Sequence, residues 1–188
     1  MHNVPPYIET WSGRKVHLLD PQPEEIYIYD IAYSLGMQCR FTGHTSHFYS
    51  VAEHSVLVSH LVPEKLALDG LLHDAAEAYL SDLASPLKRL LPQYYELEDR
   101  FVKVIADKFN LHNPMPKEVK SADNAALILE ADQLLITKGK DWKHHYPTTI
   151  EVPTQFRRLS CIEPKHAGNY FMNRFLEITY GDKLYAGE

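Results

Sequence analysis

The stretch PEKLALDGLLHDAAEAYLSD, residues 63–82, decides how the chain is read. After Pro63, a residue suited to a helix start, Leu66, Ala67, Leu71, Leu72, Ala75 and Ala76 recur at helical spacing, and the stripe continues to about Leu80. A single long amphipathic helix is expected over these residues. It carries an adjacent imidazole and carboxylate, His73 and Asp74, with Glu77 four residues after the first and three after the second. On a helix those intervals put all three on one face.

The same period appears on both sides. Ile26, Ile28, Ile31, Ala32 and Leu35 predict a helix from Glu24 to about Gln38. Ser50 with Glu53 has the form of a capping box opening a helix to about Leu61, which places His54 one turn inside. A short helical piece lies between Pro86 and Pro92, and longer helices are expected over Tyr94–Phe109, Lys117–Ile136 and Pro164–Tyr180, the last stopped by Gly181. Two β-prone runs, Tyr7–Trp11 and Lys15–Leu19, flank a Ser12-Gly13 turn and predict a hairpin within residues 1–22. Residues 138–163, polar and interrupted by Pro147 and Pro153, read as a long surface loop. The expectation is an all-α chain with a small N-terminal β-hairpin, one domain over residues 1–188, a length at which 45% hydrophobic residues supply a core.

Composition narrows the function classes. A net charge of −6 with dispersed Lys and Arg disfavours duplex nucleic acid as a partner, although two or three local cations suffice to hold one small phosphorylated molecule. Cys39 and Cys161 form no metal-ribbon spacing and are too few for a disulfide framework, which suits a reducing cytoplasm. The N-terminal residues lack a basic start followed by an apolar run, and the richest apolar stretch, Ala125–Ile136, is broken by Glu130, Asp132 and Gln133, so neither export nor membrane insertion is expected.

A His-Asp dipeptide alone says little in a chain with eleven histidines. The informative set is His54, His73, Asp74 and Asp123, one or two per helix, each near an apolar stripe. Burying two imidazoles and two carboxylates is costly unless a cation holds them together. Two nitrogen and two oxygen donors suit a divalent transition metal such as Zn, Co, Mn, Fe or Ni. Taken singly, each of the four also reads as an ordinary core histidine or surface carboxylate.

The segments SVAEHS, LLHDAAEAYLSD, SPLKRLLP and VKSADNAALILEAD together resemble the HD-domain phosphohydrolases, in particular the branch of bacterial 5′-deoxynucleotidases and phage dATP triphosphohydrolases, over about Ile26–Leu135. The resemblance implies an HD-type helical bundle in which His54, His73, Asp74 and Asp123 bind the metal and Glu77 is the catalytic acid. It implies further that Asp82 is a second active-site acid, that Lys88 and Arg40 contact phosphate, and that Pro86 and Phe41 shape the pocket for sugar or base. Asp82 also fits a helix N-cap, Lys88 a solvated lysine and Phe41 a core residue. The family more often has tryptophan where Phe41 stands. His44 and His47 are secondary candidates at the substrate mouth or for a second ion; His144 and His145 read as surface residues.

The activity so implied is hydrolysis of a deoxynucleotide at the α-phosphorus. A dATP or dNTP triphosphohydrolase comes first; the sequence itself offers Arg89 equally as a further cation for the outer phosphates and as a solvated arginine. A 5′-deoxynucleotidase acting on dNMPs comes second. Outside that branch stand a non-catalytic nucleotide sensor and a cyclic-nucleotide or alarmone phosphodiesterase. Zn, Co or Mn is the implied metal, with Mg accompanying substrate phosphates, and the expected setting is a cytoplasmic homo-oligomer, in a host cytoplasm if phage-encoded.

Overall fold

A computed structural model describes residues 5–181; the expected hairpin's first four residues and the last seven of the chain lie outside them. Strands β1 (Tyr7–Glu9) and β2 (Lys15–His17) pair antiparallel with Ile8 opposite Val16. Gly13, at φ +79°, supplies the left-handed turn. The hairpin is pinned by Asp30, a buried carboxylate accepting from Thr10 Oγ1 at 2.8 Å, Ser12 N at 2.8 Å and Ser12 Oγ at 2.7 Å.

Helix α1 (Ile28–Met37) starts four residues later than its periodicity predicts. Glu25 is the reason: its carboxylate accepts from the His17 and Gln22 N–H groups and pairs with His17 Nδ1 at 2.6 Å, which fixes residues 22–25 as a turn instead. Helix α2 (Val51–Leu61) begins as expected, with Ser50 Oγ accepting from Glu53 N at 3.0 Å.

The expected helix over Pro63–Leu80 is broken. A 3₁₀ turn (Glu64–Leu66) leads into α3 (Ala67–Leu72), a tight turn carries residues 73–76, and α4 (Glu77–Leu80) follows. His73 Nδ1 donates to Gly70 O at 2.8 Å, the carbonyl that the Asp74 N–H would take in a continuing helix. Beyond it, Ala75 N, Glu77 N and Ala78 N each reach back three residues rather than four.

Helices α5 (Ser85–Lys88), α6 (Pro92–Phe109), α7 (Lys117–Leu134) and α9 (Pro164–Tyr180) follow the predicted pattern, although α7 stops before the fully exposed Ile136. The 138–163 segment is more than a loop. It contains α8 (Trp142–His145) and a 3₁₀ turn (Thr154–Phe156), and it is tied to α7 by Asn124 Nδ2 to Pro147 O at 2.8 Å, Thr148 Oγ1 to Ser121 O at 2.8 Å and Gln133 Nε2 to Arg157 O at 2.9 Å. Ile150, Val152, Phe156 and Leu159 pack against an apolar cluster of α2 and α7 residues that includes Val58, Leu61, Val119 and Ala126.

The main core joins α1, α2, α3, α4, α6 and α9 through Ile31, Leu35, Val56, Leu71, Tyr79, Phe101 and Phe171. Helices α1 and α9 cross with almost no side chain between them: a Cβ on Gly36 would lie 2.6 Å from Gly168 N, and one on Gly168 would lie 2.9 Å from Ala32 O. Among the described residues no helix is long and apolar enough to cross a membrane. The chain is thus mostly helical with one small antiparallel sheet, and α2, the 73–76 turn and α7 meet on one side of the bundle.

Candidate metal centre and its cleft

His54, one turn into α2, is fully buried. His73 sits at the end of α3 with its side chain 2% exposed, and Asp123 occupies the second turn of α7. Their donor atoms lie within 4.8 Å of one another. His54 Nε2 is 3.3 Å from His73 Nε2 and 3.2 Å from Asp123 Oδ1. Asp74 stands beside this trio, with Oδ2 3.1 Å from His73 Nε2 and 3.6 Å from His54 Nε2.

Both imidazoles are oriented from behind. Gly70 O can only accept, so in the neutral imidazole the His73 proton sits on Nδ1 and the lone pair on Nε2. His54 Nδ1 faces Glu130 Oε1 at 2.7 Å, with the same effect. Two nitrogen lone pairs and two carboxylates therefore converge on one small volume, an arrangement that a cation stabilises.

Without a metal ion, the same cluster draws a proton onto His54 in its place. Burial and Arg40 oppose charge on His54, but Glu130 and Asp123 outweigh them and hold its pKa at about 9. Burial likewise opposes ionisation of Asp74 and Asp123. The neighbouring histidines win in both, with Lys120 assisting at Asp123, and keep the carboxyls below their ordinary range. The cluster thus favours anionic oxygens around a positive centre.

Beside the donors opens a cleft of about 490 Å³. Asp74, Asp123, Glu77 and Asp82 border it, and so do Arg40, Phe41, Pro86 and Lys88. Burial, then Asp74, then Asp82 push the Glu77 carboxyl well above the usual carboxylate range, and its Oε2 is buried without a hydrogen-bond partner among the described residues. Asp82 is raised by burial and Asp74 against the pull of Arg40. Its N-cap alternative does not hold: the N-cap of α5 is Ala84, with no side-chain cap. Gln38 sets the spacing of the two acids, donating to Glu77 O at 3.0 Å and accepting from Asp82 N at 2.9 Å.

Arg40 is buried, with Nε donating to Glu130 Oε2 at 3.2 Å and Nη1 3.6 Å from Asp74 Oδ2. Phe41 and Thr42 follow it at φ +55° and +54°, an uncommon left-handed pair that turns the chain at the cleft wall. Phe41 lies on that wall rather than in the core, 5.9 Å from the Trp142 ring. Lys88 is not a free surface cation. Its ammonium pairs with Glu98 and lies 5.3 Å from the Tyr94 ring centre. Arg89 is exposed and outside the cleft lining, His44 borders the cleft, and His47, His144 and His145 are exposed away from it.

Sequence reasoning overlooked several residues. Trp142 and Tyr146 border the cleft from inside the segment read as a polar loop, and Lys120 pairs with Asp123 Oδ2 at 2.7 Å. Glu130 was legible only as a charge interrupting an apolar stretch, yet it is completely buried. The signal was its position seven residues, or about two turns, after Asp123. A wider cleft of about 770 Å³, between α7 and the 138–152 segment, meets this one at Tyr146 and contains none of the cluster's donors.

Fold and site together define a helical protein with a buried histidine–carboxylate group able to hold a metal ion. The chain belongs to the family of YfdR, an uncharacterized protein of Escherichia coli K12, to which it is 41% identical over 174 residues covering 92% of this chain and 96% of YfdR. It is also similar to an uncharacterized protein of Rhodobacter capsulatus, 39% identical over 137 residues that cover 65% of this chain and 70% of that one. No model of a known protein family matches the sequence.

Proposed function

We propose that this protein is a metal-dependent phosphohydrolase of the HD type that acts on small deoxynucleotides. The observation that carries the reading is the joint placement of the His54–His73–Asp123 group, with Asp74 beside it, and a buried acid, Glu77, whose pKa is pushed upward, on one cleft. The donors fit a divalent transition metal, because both Nε2 lone pairs are fixed by partners behind them and face carboxylate oxygens.

A metal held there supplies Lewis acidity, lowering the pKa of water and polarising a phosphoryl oxygen. Protons fall to the chain's own acids. Glu77, its ionisation opposed by burial and by Asp74 and Asp82, is placed to donate a proton to the departing 5′ oxygen as water bonds to phosphorus and the P–O bond breaks, with Asp82 on the same cleft as its partner. Arg40 and Lys120, each already facing a carboxylate, border the space where phosphate oxygens gather negative charge. Phe41, Trp142 and Tyr146 give the cleft an aromatic side for sugar or base.

The charge inventory favours a monophosphate. Arg40, Lys88 and Lys120 each pair with a carboxylate, and Arg89 does not border the cleft. One observation supports the triphosphate alternative: Lys138, Lys140 and Lys143 border the adjoining cleft, within which outer phosphates would find cations. The test is a panel of dNMPs and dNTPs with Co, Mn, Zn or Mg, scored for orthophosphate and triphosphate. Metal-dependent orthophosphate release from dNMPs is expected. Triphosphate release selects the alternative, and nucleotide binding without turnover on any metal selects a sensor and contradicts the proposal.

A further inference from the structure

Glu130 is the one fully buried acidic side chain among the described residues, and three donors converge on it. Its Oε1 accepts from His54 Nδ1 at 2.7 Å and from Tyr49 OH at 3.1 Å, and its Oε2 accepts from Arg40 Nε at 3.2 Å. Through His54 it touches the metal donors; through Arg40 it touches a cation that borders the cleft. It stands two turns along α7 from Asp123, so one helix face presents both a donor to the cluster and the support behind another donor.

We infer that Glu130 is a positioning residue that sets the metal-binding nitrogen of His54 and the orientation of Arg40 at the same time, so that ion and phosphate share one hydrogen-bonded brace. This rests on the metal-site reading above. The reason lies in donor–acceptor polarity. His54 presents Nε2 to the cluster only while Nδ1 donates, and Arg40 Nε can do nothing but donate. A buried group between them must therefore accept at both ends, which a carboxylate does. An amide of the same size does not. With its oxygen toward His54, glutamine sets an N–H against Arg40. Reversed, it forces His54 Nδ1 to accept and moves the ring proton to Nε2, where it blocks metal binding.

The test compares wild type, Glu130→Gln and Tyr49→Phe by titration with Co(II) alone, followed in the visible spectrum, and then by binding of inorganic phosphate to the cobalt-loaded proteins. Circular dichroism verifies folding. Glu130→Gln is expected to lose about tenfold or more in affinity for Co(II) or for phosphate, the range set by loss of a metal ligand's hydrogen-bond partner. Tyr49→Phe, which removes only the third donor, is expected to stay within about twofold of wild type in both. Two unchanged affinities in folded Glu130→Gln overturn the inference while leaving the metal site standing, and an equal loss in Tyr49→Phe overturns it by making the brace generic packing. If wild type binds no Co(II), the metal reading fails and takes this one with it. One measurement needs no variant: in zinc-loaded wild type carrying ¹⁵N-histidine, His54 should be protonated on Nδ1 and bound through Nε2. Attachment through Nδ1 overturns the inference.

Discussion

Glu77 and Glu53 are both acids held above the ordinary carboxylate range, and their surroundings give them different consequences. Glu77 faces the cleft with its buried Oε2 unpartnered among the described residues, so a proton there is within reach of a bound molecule. Glu77→Gln should keep the fold and lose roughly 10²–10⁴-fold in the rate of the proposed hydrolysis, the usual contribution of a general acid; steady-state rates on the preferred deoxynucleotide check this. Glu53 faces inward. Burial raises its pKa from 4.5 to about 7, although Ile162 N donates to it at 2.8 Å. Between those two values the folded state binds more protons than the unfolded state, so this group's contribution to stability falls as pH rises through the interval and then levels off. Glu53→Gln keeps an acceptor and cannot ionise. It should melt higher than wild type above about pH 7 and near wild type at pH 5, as followed by thermal melts across that range.

Secondary elements were legible wherever apolar period and terminal chemistry agreed. Ser50 caps α2, Pro164 opens α9 and Gly181 closes it because each signal is local. The start of α1 and the break after α3 were not legible, since each depends on a side chain, Glu25 or His73, choosing a backbone partner over the helix. The break matters for the site: His73 spends its Nδ1 on Gly70 O and so presents Nε2. At this scale Ser50→Ala should destabilise by about 1 kcal/mol through the lost cap, a Tm decrease of roughly 2–4 °C for a chain of this length. Gly168→Ala at the α1–α9 crossing should cost about 1–3 kcal/mol, because its Cβ would meet backbone rather than a movable side chain. Denaturant titration distinguishes both from wild type.

Across the whole molecule, the convergence of α2, the 73–76 turn and α7 was anticipated from four residues, while its supports were not. Glu130, Gln38 and Tyr49 act through contacts 39 to 90 positions apart in the chain, and no local pattern encodes those distances. Trp142 and Tyr146 escaped notice because a polar, proline-interrupted segment reads as solvent-exposed until its anchors on α7 are known. His54, His73 and Asp123 are placed so that they could hold one cation between them. The decisive measurement is anomalous diffraction from crystals grown with Co(II) or Mn(II). A single strong peak is predicted at about 2.0–2.3 Å from His54 Nε2, His73 Nε2 and an Asp123 oxygen. A peak elsewhere with these three donors uninvolved, or no peak under saturating metal, would contradict it.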